Sequence, residues 1–169
     1  MKFFTTAILI AMLALSDMAY GACNSIATGG SDANIQITIN PQIALGSFPR
    51  PDTGTKTVII GSDGSRTLPP ELNVGTNNPD VFNQATATVT GTAGCIFQIT
   101  ISGESGGLFN VTLAADSGYS SLSSNSSGAK GTLNSSGTFK FTIGVSDIID
   151  SNTATPVGGT FNVRVDYSD

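Results

Sequence analysis

Residues 83–102 read Asn83-Gln-Ala-Thr-Ala-Thr-Val-Thr-Gly-Thr-Ala-Gly-Cys-Ile-Phe-Gln-Ile-Thr-Ile-Ser102. In the first half Ala85, Ala87 and Val89 alternate with Thr86, Thr88 and Thr90; in the second, Phe97, Ile99 and Ile101 alternate with Gln98 and Thr100. A period of two places one set of side chains on a buried face and the other in water, which is a β-strand with one apolar side. Gly91 and Gly94 bracket the link, so the stretch reads as a hairpin with Cys95 at the start of its second strand.

The same pattern recurs outward from this stretch. Ile35, Ile37 and Ile39 alternate with Gln36 and Thr38, and Ile43 and Leu45 extend the apolar series beyond Pro41. Proline cannot donate to a ladder, so this strand belongs at a sheet edge or bends there. Residues 46–54 carry Gly46, Pro49, Pro51 and Gly54 and form a loop; 55–60 is the next strand, and Ser62-Asp63-Gly64-Ser65 turns it into Arg66-Thr67-Leu68. Leu72 and Val74 alternate briefly before a turn at Asn77-Asn78-Pro79-Asp80. Phe109, Val111 and Leu113 mark another strand, Phe139, Phe141 and Ile143 another, and Phe161, Val163, Val165 and Tyr167 the last. About eight or nine short strands with no helix signal predict an all-β, antiparallel, Ig-like sandwich, with a closed barrel as the alternative.

Residues 1–21 stand outside this pattern. Lys2 precedes an apolar run from Phe3 to Leu15, and Ala19 and Gly21 occupy positions −3 and −1 of a cut before Ala22. That is the form of a secretory signal peptide, too short to span a bilayer. A lipoprotein signal ending at Cys23 would need a Leu-like residue where Tyr20 stands. The remaining chain, 22–169, is one domain's worth. Export sets the redox context of the only two cysteines, Cys23 and Cys95. They read most simply as one disulfide, closing a loop of about 70 residues and contributing about 4 kcal/mol; an unpaired or intermolecular state and a catalytic role are the alternatives.

The chain has no His and no Trp, 7 Lys+Arg against 12 Asp+Glu, and a formal charge of −5. Without His there is no Ser-His-Asp or Cys-His machinery and no His-ligated metal. An acidic chain has no field to gather phosphates, so nucleic acid is not an expected partner. No catalytic, cofactor-binding or metal residue is nominated, and an enzyme is not expected. The densest acidic cluster, Asp147 and Asp150 beside Asn152, reads as solvated loop acids, with calcium binding through oxygen ligands as the alternative. Residues 117–137 hold nine Ser and four Gly with only Tyr119, Leu122 and Leu133 of appreciable apolar size. This composition predicts a long mobile hairpin loop, or else a loop that contacts a sugar or receptor. Asn110, Asn125 and Asn134 each begin an N-glycosylation acceptor triplet, which counts only in a eukaryotic source.

Taken in order, the run from Ile37 to Phe48, the turn from Gly61 to Arg66, the segment from Ala85 to Gly91 leading into Phe97-Gln-Ile-Thr-Ile101, and the close from Gly158 to Tyr167 resemble a known family. The chain is similar, over most of 33–167, to small secreted bacterial domains of unknown function (the 4402 family) that are themselves similar to pilin and fimbrial subunits. The resemblance implies no catalytic residue. It implies a Gram-negative envelope or surface protein in the periplasm, on the cell surface or in a fimbrium. Implied partners are other copies or other fimbrial subunits, a periplasmic chaperone, and a host glycan or protein. Chaperone–usher pilins are sandwiches lacking a strand, completed by an alternating N-terminal extension of the next subunit. Here residues 22–34 are polar and do not alternate, and a Cys23–Cys95 bridge would tether them. A monomeric binding module using residues 117–137 and 49–54 is the second reading.

Overall fold

The computed structural model describes residues 23, 35–46, 49, 51–72, 82–104, 108–151 and 160–168. The signal-peptide reading, the turn at 77–80, Val74, Asn152 and Gly158 fall outside them. The described residues form nine strands: β1 (Gln36–Ile39), β2 (Thr55–Ile60), β3 (Arg66–Thr67), β4 (Ala85–Thr90), β5 (Ile96–Ser102), β6 (Leu108–Ala115), β7 (Lys130–Thr132), β8 (Thr138–Asp150) and β9 (Asn162–Tyr167). A single 3-10 turn, Pro70–Leu72, interrupts them. All pairings are antiparallel.

Strand β8 organises the larger sheet. Its residues 138–143 pair with β4 and 145–150 with β2, both along one edge, while β6 pairs along the other. Strands β1 and β3 extend this sheet beyond β4 and β2, and β7-β5-β9 form the second sheet. The alternating residues place Ala85, Ala87 and Val89 of β4 and Phe139, Phe141 and Ile143 of β8 in one core with Phe97 and Ile99 of β5. Phe97 meets Phe139 edge-on, ring centres 5.1 Å apart, a favoured aromatic geometry.

Two short links show how sequence sets local geometry. Asp63 Oδ1 accepts from Ser65 N (3.0 Å) and Ser65 Oγ (2.6 Å), and Gly64 takes φ +82°, closing the predicted β2–β3 turn. Gly144 sits where β8 passes from pairing with β4 to pairing with β2. A Cβ there would fall 2.6 Å from the Gly61 carbonyl carbon and collide with Ile60 O and Ser62 N. Only glycine lets the β2–β3 hairpin fold down at this junction.

Three expectations are corrected. First, β4 and β5 are not a hairpin: β4 pairs with β1 and β8, β5 with β7 and β9. The link at 91–94 crosses from one sheet to the other, so the two apolar faces meet across the core instead of lying side by side. Alternation is the same in both arrangements, which is why the pattern alone selects the wrong one. Second, residues 117–137 are more than a hairpin loop. They supply β7, bury Ala129 and Leu133 (0% and 1% exposed), and pack Tyr119 against Phe139 at a tilt, ring centres 5.4 Å apart. Backbone pairing and small residues do what large apolar side chains do elsewhere: a Cβ on Gly131 would lie 2.7 Å from Phe97 Cζ. Third, β8 runs on to Asp150, so Asp147 is inside a strand and only 1% exposed.

The edge position of the first strand and the cysteine pairing agree with the sequence reading. Strand β1 ends before a cis Asn40-Pro41 bond and lies at a sheet edge. Cys23 and Cys95 form a disulfide with Cα atoms 5.7 Å apart. No described helix is long and apolar enough to cross a membrane.

Candidate functional site: an open seam between the sheets

A sandwich has two lateral margins, and here they differ. On the β6/β7 side, residues 117–137 close the gap. Leu113 N of β6 donates to Asn125 O (2.9 Å), Ile99 N of β5 donates to Ala129 O (2.8 Å), and Ser127 Oγ accepts from Ile101 N (2.9 Å). One short segment thus pairs with both sheets.

On the opposite margin β1 and β9 face each other as edge strands, and among the described residues no strand pairs with the outer side of either. The ladder phase identifies which backbone groups are left. Asn40 N donates to Thr86 O (2.9 Å), so even-numbered residues of β1 point their N–H and C=O at β4 while Ile37 and Ile39 point theirs outward. Ser168 N donates to Ile96 O (3.0 Å), so Val163 and Val165 of β9 likewise turn theirs to the margin. The same four residues direct their side chains inward, because the pleat couples the two directions. Each edge therefore offers backbone hydrogen-bonding groups beside apolar side chains.

The seam is closed at one end and hollow at the other. At the closed end, Thr92 N donates to Tyr167 Oη (2.7 Å), Tyr167 Oη donates to Thr92 Oγ1 (3.2 Å), and the Cys23–Cys95 bridge and buried Ile35 pack alongside. At the other end lies a hollow of about 260 Å³ lined by Ile39, Gln42, Ile43, Ala85, Thr160, Phe161 and Val163. Its floor is Ala85, a small residue among larger neighbours. No sequence signal pointed to this hollow, since its walls come from both ends of the chain.

The acids nominated as a cluster are separated. Asp147 and Asp150 lie three residues apart on β8 and so on opposite faces. Among the described residues no three His, Cys, Asp or Glu side chains converge to hold a metal ion. Asp147 faces inward between Val58 on β2 and Leu108 on β6, and neither carboxylate oxygen has a hydrogen-bond partner. Burial pushes its carboxyl above the usual Asp value, and the nearby Ile148 N–H, too poorly placed to make a regular hydrogen bond, offsets only part of that rise. The loop at 49–54 borders a second hollow of about 350 Å³, lined by Pro49, Asp52, Thr53, Lys56 and Glu71, where Lys56 pairs with Glu71. The hydrogen bond from Lys56 holds the Glu71 carboxyl below its ordinary value. These groups can bind polar ligands but include no nucleophile and base in contact.

Comparison with known proteins agrees in part with the resemblance read from the sequence. A family model described as Domain of unknown function (DUF4402) matches residues 35–167, from the residue before β1 to the last residue of β9. No curated protein and no solved structure is detectably similar to the chain.

Proposed function

We infer, for a chain that belongs to the DUF4402 family, that it is an exported surface protein, structural or adhesive, working as a fimbria-like subunit through β-strand pairing and loop contacts. The observation that supports this reading is the seam between β1 and β9. Exposed strand edges are templates for association, and proteins that do not use them normally blunt them with charge, proline or a cover. Among the described residues one margin is covered and no strand covers the other. An added strand would gain main-chain hydrogen bonds from Ile37 and Ile39 on one edge or from Val163 and Val165 on the other, with its inward side chains directed toward the hollow over Ala85. The proposed setting is the periplasm and cell surface, reached by way of residues 1–21, with a disulfide suited to an oxidising compartment. We propose no enzymatic activity and no cofactor.

The decisive substitution is Val163→Pro. Its N–H points into the seam, so proline removes an outward donor while sparing the ladder to β5. The purified variant is expected to keep the wild-type melt, and sheared surface material from cells carrying it is expected to lose any filament or surface layer seen with wild type. Surface material identical in wild-type, variant and gene-deleted cells would count against the proposal. A second reading, a monomeric binding module for a glycan or protein, draws on the polar hollow beside residues 49–54. A clean monomer in size-exclusion that binds ligand and loses it on Asp52→Ala would favour it.

A further inference from the structure

Asp147 serves neither the seam nor the polar hollow, yet it occupies an improbable position. It is 1% exposed, its cross-strand partner Val58 is 0% exposed, and its neighbours along the same face of β8 are Val145 (1%) and Ile149 (2%). It falls where the main core, which includes Ile60 and Val145, gives way to the smaller cluster of Val58, Leu72 and Ile149. Both oxygens lack hydrogen-bond partners. A buried carboxylate without a partner is among the most costly arrangements in a fold, whereas the neutral acid costs no more than another buried polar group.

Among the described residues no cation on the surrounding elements compensates the charge. From β2, Lys56 shares the face, as the cross-strand partner of Ile149, but its ammonium is committed to Glu71 of the 3-10 turn. From β3, Arg66 pairs across from Ile60 and lays its guanidinium over the Phe82 ring, 5.2 Å from the centre. The described side chains of β6, 110–115, include no titratable group. On β8 itself Asp150 is on the other face, and on the second sheet Arg164 and Asp166 pair with each other.

We propose that Asp147 is a proton-dependent clasp at the junction of β2, β8 and β6: protonated, it lets the two apolar clusters pack as one, and deprotonated, it places an uncompensated charge between them and loosens the junction. The contribution of this residue to stability is accordingly greatest in acid and is lost as the medium is neutralised. The direction follows from linkage. Burial raises the folded-state value of this carboxyl, so the native state binds more protons than the unfolded chain, and stability contributed by this residue falls as pH rises from about 4 upward.

The test compares wild type with Asp147→Asn, which keeps the shape and cannot ionise, by thermal melting from pH 4 to pH 8. The variant's advantage over wild type is expected to grow by at least about 3 °C across that range. Native-state hydrogen exchange at the Val58 and Ile60 amides should accelerate with pH in wild type beyond the intrinsic rate, and not in the variant. A difference between the two proteins that is flat or shrinks with pH overturns the proposal. Should the variant fail to fold, titration of the wild-type Asp147 carboxyl by carbon NMR replaces it. A midpoint above the ordinary Asp range supports the clasp, and one at or below it refutes the clasp.

Discussion

Replacing both cysteines, Cys23→Ala with Cys95→Ala, tests what holds the closed end of the seam. The bridge spans a sequence separation of 72. The chain-entropy relation gives about 15 cal/mol/K for a loop of this length, or about 4 kcal/mol at 25 °C, acting on the unfolded chain. Cys95 is 1% exposed and part of the main core, so truncating it to Ala adds about 1 kcal/mol of lost packing. With a urea m-value of about 2 kcal/mol/M for a domain of this size, the midpoint should fall by about 2–3 M. The variant's m-value should also rise, because the released unfolded chain exposes more surface. Reduced wild type separates the two contributions: it loses the loop constraint while keeping both sulfurs, and should lie between oxidised wild type and the double variant. A midpoint within about 0.5 M of wild type, with m unchanged, would refute the view that this link constrains the unfolded chain.

Other expectations follow from single contacts. Gly144→Ala drives a methyl into the Gly61 backbone and should cost at least about 3 kcal/mol, seen as a lower melt or insoluble protein; a melt within about 2 °C of wild type would sink the junction reading. Tyr167→Phe leaves the Thr92 N–H without its 2.7 Å acceptor and should cost about 1–3 kcal/mol in a denaturant titration. Deleting residues 120–131, which include buried Ala129 and the Asn125 and Ala129 carbonyls that bridge the sheets, should lower the melt sharply, by more than about 10 °C. An unchanged melt would restore the loop interpretation.

Alternation made the strands legible because each half-buried strand must separate apolar from polar side chains within two residues. That suffices for β1, β2, β4, β5, β6 and β9, and Asp63-Gly64 announces the β2–β3 turn through its own geometry. Partnering is a different matter. Whether Ala85–Val89 and Phe97–Ile101 lie beside or opposite one another depends on contacts that neither run encodes locally. Strand β8 was legible only to Ile143, because Gly144 and Asp147 break the apolar rhythm; one is demanded by a neighbouring hairpin and the other is buried against its chemistry. Residues 117–137 are hidden for the opposite reason. Their contribution comes from main-chain pairing and from the absence of side chains at Gly131, and hydrophobicity does not count either. The seam is invisible to any local reading, since Ile39, Ala85 and Phe161 meet only in three dimensions.

The unequal margins also bear on symmetry. Were two copies to meet margin to margin, each would satisfy the other about a two-fold axis, and growth would stop at a dimer. An open-ended fibre instead requires a heterologous contact, in which the strand entering one subunit comes from a different region of the next. The receptive margin seen among the described residues therefore leaves two outcomes, a closed pair or a polar filament, and the source of the entering strand selects between them.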